Sequence, residues 1–278
     1  MAGQIVVGVD GSVAATAAVE WAAADARRRR LGVRLVHVRE HGRNGERPGS
    51  CAALLDAARA RVLALTTDVE VTTDLLGGGL LDALIAESVT ADCLVLGASA
   101  STGLGAKVRS LDLALTGHAP GAVVVVRAPM PVRYDRIVVG YDGSAPSEAA
   151  MAYAVEQAHA RDARLHVVSA RQTPIFSPYA VAYSRLIQDA VREEARETRE
   201  RIMPWREGNP GLAVSDEQVC DHPVAALIHA ARTADLLVVG SRGLGGIAAA
   251  LFGSVSHGVL HHVPCPVAVV RPRPKERT

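Results

Sequence analysis

Short apolar runs alternate with segments of helical spacing along the whole chain. In the first half, the apolar runs predict strands near residues 4–10, 33–39, 69–75, 92–97 and 122–127. The spacing between them predicts helices near residues 13–30, 51–66, 79–90 and 107–118. Apolar runs this short are typical of strands buried on both faces. Their alternation with helices predicts a parallel sheet with right-handed crossovers and helices on both faces.

The second half repeats this alternation and adds one longer segment. Its apolar runs predict strands near residues 136–142, 164–169, 212–219, 235–240 and 266–271. The extra length falls around Thr173–Asn209 and contains a predicted helix, Tyr183–Met203. Charges of both signs recur along this helix at spacings of three and four residues, which predicts a solvated face with ion pairs.

The two halves also repeat each other in sequence. Ile5–Ser12 reads IVVGVDGS, and Ile137–Ser144 reads IVVGYDGS. The segment ADCLVLG likewise returns as ADLLVVG, and AVVVVR returns as PVAVVR. A repeat of this length predicts two homologous domains, 1–128 and 135–278, joined by an extended linker over residues 129–134.

Composition narrows the class of protein. The 278 residues are 49% hydrophobic and 21% charged, which is typical of a soluble globular chain. A net charge of +1 argues against an extended nucleic-acid surface, and no apolar run approaches the roughly 20 residues that span a bilayer. We expect no signal peptide and therefore a cytoplasmic location. The cysteines form no CxxC pair, and Cys93 and Cys265 are predicted to be small core residues.

A glycine-rich loop follows the predicted strand at 235–240 and leads into a predicted helix that ends before Pro264. Gly240, Gly243 and Gly253–Ser254 have the spacing G-x2-G-x9-G-S. Glycines let the backbone approach a ligand closely, and the N–H groups at a helix start attract anions, so this spacing predicts a phosphate site. The alternative is that the glycines only turn a strand into a helix. Arg242, between two of them, would face either phosphate or solvent.

One aspartate follows the first strand of each half. Asp10 and Asp142 each precede Gly-Ser and a predicted helix. Ligands of open α/β sheets bind outside these strand ends, where a carboxylate accepts hydrogen bonds from ribose hydroxyls or an adenine amine. The alternative is a turn followed by a helix N-cap. We favour ligand binding in the second half, where the glycine loop is intact.

These motifs together resemble the universal stress protein family, in its tandem, two-domain, ATP-binding type. The resemblance covers essentially the whole chain and depends on VVGYDGS and on G-x2-G-x9-G-S followed by VSHGVLHHVPCPVAVV. It implies an α/β fold of two tandem domains, each a five-stranded open parallel sheet with helices on both faces. Such sheets are Rossmann-like and adenine nucleotide alpha hydrolase-like. The implied ligand is ATP, with Mg²⁺ as a candidate companion.

The resemblance also implies roles for particular residues in the second half. Gly240, Gly243, Gly253 and Ser254 would contact phosphates and ribose, and Val255 would lie beside the phosphates. Asp142 would contact the nucleoside, and Val167 would border adenine, although the second strands of the two halves align with a slip of one residue. Arg242 joins this set as the candidate cation.

The first half departs from the family pattern. Gly97 is present, but Ala100 replaces a motif glycine, and Arg109–Ser110 replaces the later Gly-Ser after a one-residue shortening. A side chain at such a position blocks the close backbone approach that glycine allows, which predicts a weakened or lost site. The weaker candidates here are Asp10, Val38, Gly97 and Ser110.

Two negative features shape the functional expectation. The chain lacks GxxxxGK[ST], and no evident base accompanies the glycine loop, so we expect a stress-response sensor or regulator with slow ATP hydrolysis at most. The alternatives are an ATPase or nucleotidyl-transfer enzyme completed by a partner, and a nucleotide-free protein-interaction module.

His257 and His261 have metal-binding spacing without an evident third ligand, so no metal site is predicted. Expected partners are an adenine nucleotide and an unidentified regulatory protein. We further expect the last strands of the halves to pair, with a homodimer as a further option.

Overall fold

The computed structural model describes residues 3–39, 48–98, 111, 114–127, 132–171, 184–242 and 253–273. The first half contains β1 (Gln4–Gly8), α1 (Val13–Arg29), β2 (Gly32–Arg39), α2 (Pro48–Leu65), β3 (Val71–Gly77), α3 (Leu80–Thr90), β4 (Cys93–Gly97), a helical segment α4 described over residues 114–118, and β5 (Gly121–Val126). The second half contains β6 (Arg136–Gly140), α5 (Ala145–Arg161), β7 (Arg164–Ala170), α6 (Ser184–Glu207), β8 (Val214–Val219), α7 (Pro223–Ala231), β9 (Leu236–Gly240), α8 (Ser254–His262) and β10 (Val267–Arg271).

Within the described residues, the strands form one ten-stranded sheet in the order β3-β2-β1-β4-β5-β10-β9-β6-β7-β8. Neighbouring strands within each half are parallel, as predicted. The halves meet at β5 and β10, which pair antiparallel with Val125 opposite Val267 and Val123 opposite Val269. The predicted pairing of the last strands within one chain is therefore confirmed.

Helices cover both faces of the sheet and create two core layers. One layer packs under α1, α2 and α5, and the other under α3, α7 and α8. Successive strand residues enter opposite layers: Val7 lies in the first and Val6 in the second. The inner strands, such as β1, β4 and β5, are buried on both faces and have continuous apolar sequences. The edge strands β3 and β8 instead mix partly buried and exposed positions.

The charge-rich helix α6 is longer than the sequence predicts. It runs past the predicted end at Met203 to Glu207, with Pro204 inside it. Arg196 forms ion pairs with Glu193, three residues before it, and with Glu200, four residues after it. All three side chains are exposed, so the predicted solvated face with ion pairs is confirmed in this part of the helix.

Two cysteines occupy the core positions that the sequence predicts. Cys93 and Cys265 are both buried. Burial raises the pKa of the Cys265 thiol to about 12 and also raises the pKa of Cys93. Both thiols therefore stay protonated and pack as small apolar groups. Within the described ranges, the helices are all too short or too polar to cross a bilayer.

Candidate functional site

The predicted ligand-binding edge lies at the carboxyl ends of β6, β7 and β9. Strand β6 pairs with β7 on one side and with β9 on the other. The chain therefore leaves β6 for β7 and later returns to the opposite side of β6, which makes a topological switch point between β6 and β9. Open α/β sheets bind ligands in the crevice outside such a point. The loop after β6 and the described residues Ser241 and Arg242 after β9 flank this crevice.

The loop after β6 holds Asp142 in a compact turn. The backbone N–H of Ser144 donates to Asp142 Oδ1 at 3.0 Å, and the Ser144 hydroxyl caps α5 by accepting from Ser147 N–H at 3.3 Å. In the first half, Ser12 N–H donates to Asp10 Oδ1 at 2.9 Å. The turn and N-cap alternative is thus present in both halves. Because both aspartates are also exposed, the turn does not prevent either carboxylate from meeting a ligand.

Close packing of strand ends on helix starts requires glycine at the ends of β4 and β9. A Cβ on Gly240 would lie 2.8 Å from the carbonyl carbon of Pro146, in the first turn of α5. A Cβ on Gly97 would lie 2.2 Å from the carbonyl carbon of Ala14, in the first turn of α1. Each glycine therefore lets a strand end pack directly on a helix start. This role would exist without any ligand, and the sequence motif alone does not separate it from phosphate binding.

The described ends of the glycine loop meet at its base. Gly253 N–H donates to the carbonyl oxygen of Ser241 at 3.1 Å, and a Cβ on Gly253 would lie 2.8 Å from that oxygen. Ser254 is exposed at the start of α8, and Val255 is partly buried. No described side chain caps this helix start, so its first N–H groups can receive an anion. Gly243 lies outside the described residues.

Two arginines, Arg242 and Arg271, follow neighbouring strand ends beside this helix start, since the Ser241 N–H donates to the Val270 carbonyl oxygen at 2.9 Å. Arg242 Nε is buried and has no hydrogen-bond acceptor among the described residues. Burial, and then the nearby guanidinium of Arg242, lowers the pKa of Arg271 at the end of β10. No described carboxylate forms an ion pair with either arginine. Sequence reasoning identified Arg242 and missed Arg271. The available signal was the repeat, which places Arg127 and Arg271 at the same point of AVVVVR and PVAVVR.

The structure places the Val167 side chain in the core, where it is 0% exposed. Its predicted place beside adenine stays a prediction, and the strand register points to a different counterpart of Val38. Gly8 pairs with Val36 on β2, and Gly140 pairs with Val168 on β7. By this register, the counterpart of Val38 is Ala170, three positions beyond Val167. The sequence alignment missed this offset because both second strands are runs of similar apolar residues.

The first-half candidates occupy equivalent positions. Asp10 is exposed, and Val38 and Gly97 are partly buried at the carboxyl ends of β2 and β4. Ser110 lies outside the described residues. The structure thus brings Asp10, Val38 and Gly97 to one edge of the first-half sheet.

The histidine pair of α8 shows no metal geometry. The rings of His257 and His261 meet edge to face, with centroids 4.9 Å apart. Over the part of the chain that the structure describes, no three His, Cys, Asp or Glu side chains gather as metal ligands would.

Comparison with known sequences identifies the family. The profile of the Universal stress protein family matches residues 1–127 and 133–271. A universal stress protein of Mycobacterium tuberculosis strain H37Rv is 32% identical, with 96% of each chain covered. A universal stress protein of Mycolicibacterium smegmatis is 31% identical, with 97% of each chain covered.

Solved structures show the same fold. A universal stress protein from Archaeoglobus fulgidus superposes with a TM-score of 0.68 at 17% identity, covering 99% of this chain and 97% of its own. A functionally unknown protein from Pseudomonas aeruginosa superposes with a TM-score of 0.70 at 20% identity, covering 98% of this chain and 93% of its own. The matched sequence regions, the related sequences and the shared fold agree: the chain belongs to the universal stress protein family.

Proposed function

We propose that the second half binds ATP at the carboxyl ends of β6 and β9, and that bound ATP regulates a stress response. The paired guanidiniums of Arg242 and Arg271 beside the start of α8 carry this proposal. Two neighbouring cations without carboxylate partners among the described residues repel each other, and a polyphosphate would supply the missing acceptors. A cytoplasmic location and a regulatory protein partner complete the proposal.

The phosphates and the nucleoside would bind in two different regions along the carboxyl edge of the sheet. The phosphates would lie at the first turn of α8, beside Gly253, Ser254 and Gly243, where backbone N–H groups and Arg242 supply donors. The Ser254 hydroxyl is exposed and would help hold a phosphate or its Mg²⁺. The nucleoside would lie between the loop after β6 and the end of β7, with Asp142 as its hydrogen-bond acceptor. Ala170, at the end of β7, takes the place beside the nucleoside that was predicted for Val167.

Regulation fits this site better than rapid turnover. Phosphoryl transfer needs stabilisation of developing charge on the transferred group and an oriented nucleophile. The chain has cations here but no Walker lysine, and Asp142 is assigned to the nucleoside. A ligand that binds without fast chemistry acts by favouring one conformation over another.

Calorimetric titration with ATP tests the site. We expect one dominant site per chain, with Asp142→Ala weakening the affinity by about tenfold or more, since a hydrogen bond to a charged group is lost. Asp10→Ala is the matched control, because it makes the same change in the first half, and its affinity should stay within about twofold of the wild type. Gly243→Val should abolish most binding by placing a side chain in the loop.

Several results would contradict a single regulatory ATP site in the second half. Two equivalent sites, or full binding after Gly243→Val, would contradict a single second-half site. Absence of any adenine nucleotide binding would favour the nucleotide-free interaction module. With Mg²⁺ present, hydrolysis faster than roughly one per second, the low end of ordinary enzyme rates, would favour an ATPase or nucleotidyl-transfer enzyme.

A further inference from the structure

A cavity of about 260 Å³ lies where the two halves meet, on the face of the sheet that α1 and α5 cover. Its described lining includes Trp21, Arg28, Val126, Val132, Arg133 and Arg161. The second-half residues of this lining precede β6 or end α5, so they lie at the amino ends of the second-half strands. The proposed nucleotide site lies at the opposite, carboxyl ends of those strands. This cavity is therefore a separate place in the molecule.

Two hydrogen-bond donors of the cavity have no acceptor within the described part of the chain. Arg28 is half-buried and forms neither an ion pair nor a hydrogen bond there. The Nε1 atom of Trp21 is buried and also lacks a partner. Buried donors without acceptors are costly and uncommon in native proteins, so each one calls for an explanation. Here the two lie on the same helix and line the same cavity.

The nearby acidic side chains are already used elsewhere. Their partners are at hydrogen-bond distance: Asp25 contacts Arg161 at 2.7 Å, Glu20 contacts Arg61 at 2.6 Å, and Asp235 accepts from the N–H groups of Tyr134 and Arg136 at 2.8 and 3.3 Å. These carboxylates leave no lining acceptor for Arg28 among the described residues. A bound ligand would supply the acceptor that Arg28 lacks among the described residues.

The cavity also concentrates positive charge. Burial first, and then the nearby Arg161, lowers the pKa of Arg28; Asp25 acts in the opposite direction, and Arg133 again lowers it. The guanidinium of Arg161 lies 5.1 Å from the centre of the Trp21 ring, which holds the indole in place by a cation–π contact. Arg133 donates to the carbonyl oxygen of Arg161 at 2.8 Å, which fixes the opposite wall. Arg161 pairs with Asp25, and Arg133 pairs with Asp135, so Arg28 is the lining guanidinium without a carboxylate partner among the described residues. A bound anion would supply that partner.

The remaining walls are apolar. Val126, Ala17 and Pro266 line the cavity, and Val132 is 51% exposed at its rim. A volume of 260 Å³ corresponds to roughly nine water molecules, more than a simple inorganic ion fills. The combination of convergent donors with an apolar wall is typical of sites for small organic ligands.

We propose that this cavity is a second ligand site, which binds a small organic oxyanion between the two halves. The phosphate or carboxylate group of the ligand accepts hydrogen bonds from Arg28 and from Trp21 Nε1. Its apolar body lies against Val126 and Val132. Because these residues come from α1, from the end of β5 and from the segment before β6, the ligand bridges the two halves.

Tryptophan fluorescence tests the site directly in the full chain. The protein has two tryptophans, so Trp205→Phe leaves Trp21 as the sole reporter. Phenyl phosphate should change the Trp21 emission saturably and bind about tenfold or more tighter than inorganic phosphate, because only phenyl phosphate reaches the apolar wall. Arg28→Gln should weaken phenyl phosphate binding by about tenfold or more, and Arg28→Lys by a smaller factor, since lysine keeps the charge without the planar fork.

Two controls separate this site from general charge effects and from the nucleotide site. Arg27→Gln removes the same charge from the neighbouring, exposed position, and Arg242→Gln alters the proposed nucleotide site; both should leave the phenyl phosphate affinity within about twofold. Thermal unfolding of the ligand-free Arg28→Gln protein should occur at the same or a higher temperature, because an unpaired cation is removed. No saturable change, inorganic phosphate binding as tightly as phenyl phosphate, or unchanged affinity in both Arg28 variants would each overturn the proposal.

Discussion

At the scale of single residues, the two halves assign the same backbone roles to corresponding positions. Ser12 and Ser144 cap the starts of α1 and α5 with their side chains. Arg30 and Asp162 end the same helices in the left-handed region, with φ of 55° and 52°. A side chain other than glycine rarely adopts this conformation, so its presence in both halves shows that the helix ends were built alike.

One buried histidine makes folding stability depend on pH. His166 is 8% exposed, with Nδ1 2.9 Å from Ser215 Oγ and Nε2 3.3 Å from Glu217 Oε2. Burial first, and then the charge of Arg136, lowers its pKa below the ordinary value of 6.5, although Glu217 acts in the opposite direction. The folded protein therefore holds the neutral imidazole, and the unfolded chain takes up the proton first as the pH falls.

We expect this histidine to contribute stability above pH 6.5 that is lost as the pH falls through its lower, folded pKa. Urea unfolding between about pH 5 and 8, the range in which histidine titrates, measures the free energy of unfolding. His166→Gln should flatten the loss on the acid side. An acid-side slope that is the same in wild type and His166→Gln would contradict this assignment.

At the scale of elements, β5 and β10 decide how the two sheets are joined. All six residues of β5 are buried, and Val267–Arg271 pairs with it over the whole length of β10. Each strand would be an apolar sheet edge if its half stood alone, and such edges associate with other chains. Pairing the two edges with each other removes this liability and extends the core across the junction.

A charge in this pairing should weaken the whole fold. Val125 is 2% exposed and lies opposite Val267, so Val125→Glu buries a carboxylate without a partner. We expect a loss on the order of 3 kcal/mol or more in the free energy of unfolding. Val13→Glu makes the same change at an 85% exposed position and should stay within about 0.5 kcal/mol of the wild type. Equal unfolding midpoints for the two variants in urea would contradict the buried junction.

At the scale of the whole molecule, a buried polar cluster links the halves above the sheet. Asp25 on α1 is 0% exposed and accepts from Arg161 at 2.7 Å and from Gln157 at 3.0 Å, both on α5. Arg29 extends the cluster to Asp92 at 2.6 Å and to Glu156 across the junction. The contacts between the halves therefore include directed polar pairs as well as the strand pairing.

Replacing Asp25 should destabilise the fold, because it leaves a buried arginine without its carboxylate partner. We expect Asp25→Ala to lower the free energy of unfolding by about 3–5 kcal/mol, because Arg161 loses its carboxylate. The double variant Asp25→Ala/Arg161→Met should lose less free energy of unfolding than the sum of the two single variants. The difference, which is the coupling energy, should be about 0.5–3 kcal/mol. Glu193→Ala breaks a surface pair with Arg196 and should cost at most about 1 kcal/mol. Strict additivity in urea unfolding would show that Asp25 and Arg161 act independently.

The local organisation of this protein can be predicted from its sequence alone. Continuous apolar runs such as Val6–Val7 predict strands buried on both faces, since neither face requires polar residues. The repeated DGS segment predicts the turn and cap after β1 and β6, because Asp142 and Ser144 hydrogen-bond to the backbone within three residues. Interactions this short depend on neighbouring residues alone, so one sequence is enough to read them.

Contacts between residues that are distant in the chain depend on the folded arrangement of the strands and helices. The sequence alignment pairs Val38 with Val167, whereas the strand register pairs Val38 with Ala170. The alignment could not find this register, because strand pairing depends on packing that runs of similar apolar residues do not specify. The approach of Arg271 to Arg242 follows from β10 lying beside β9. The cavity around Arg28 exists because the antiparallel junction brings α1 against the segment before β6. Each of these contacts joins residues far apart in the chain, and local periodicity carries no information about such pairs.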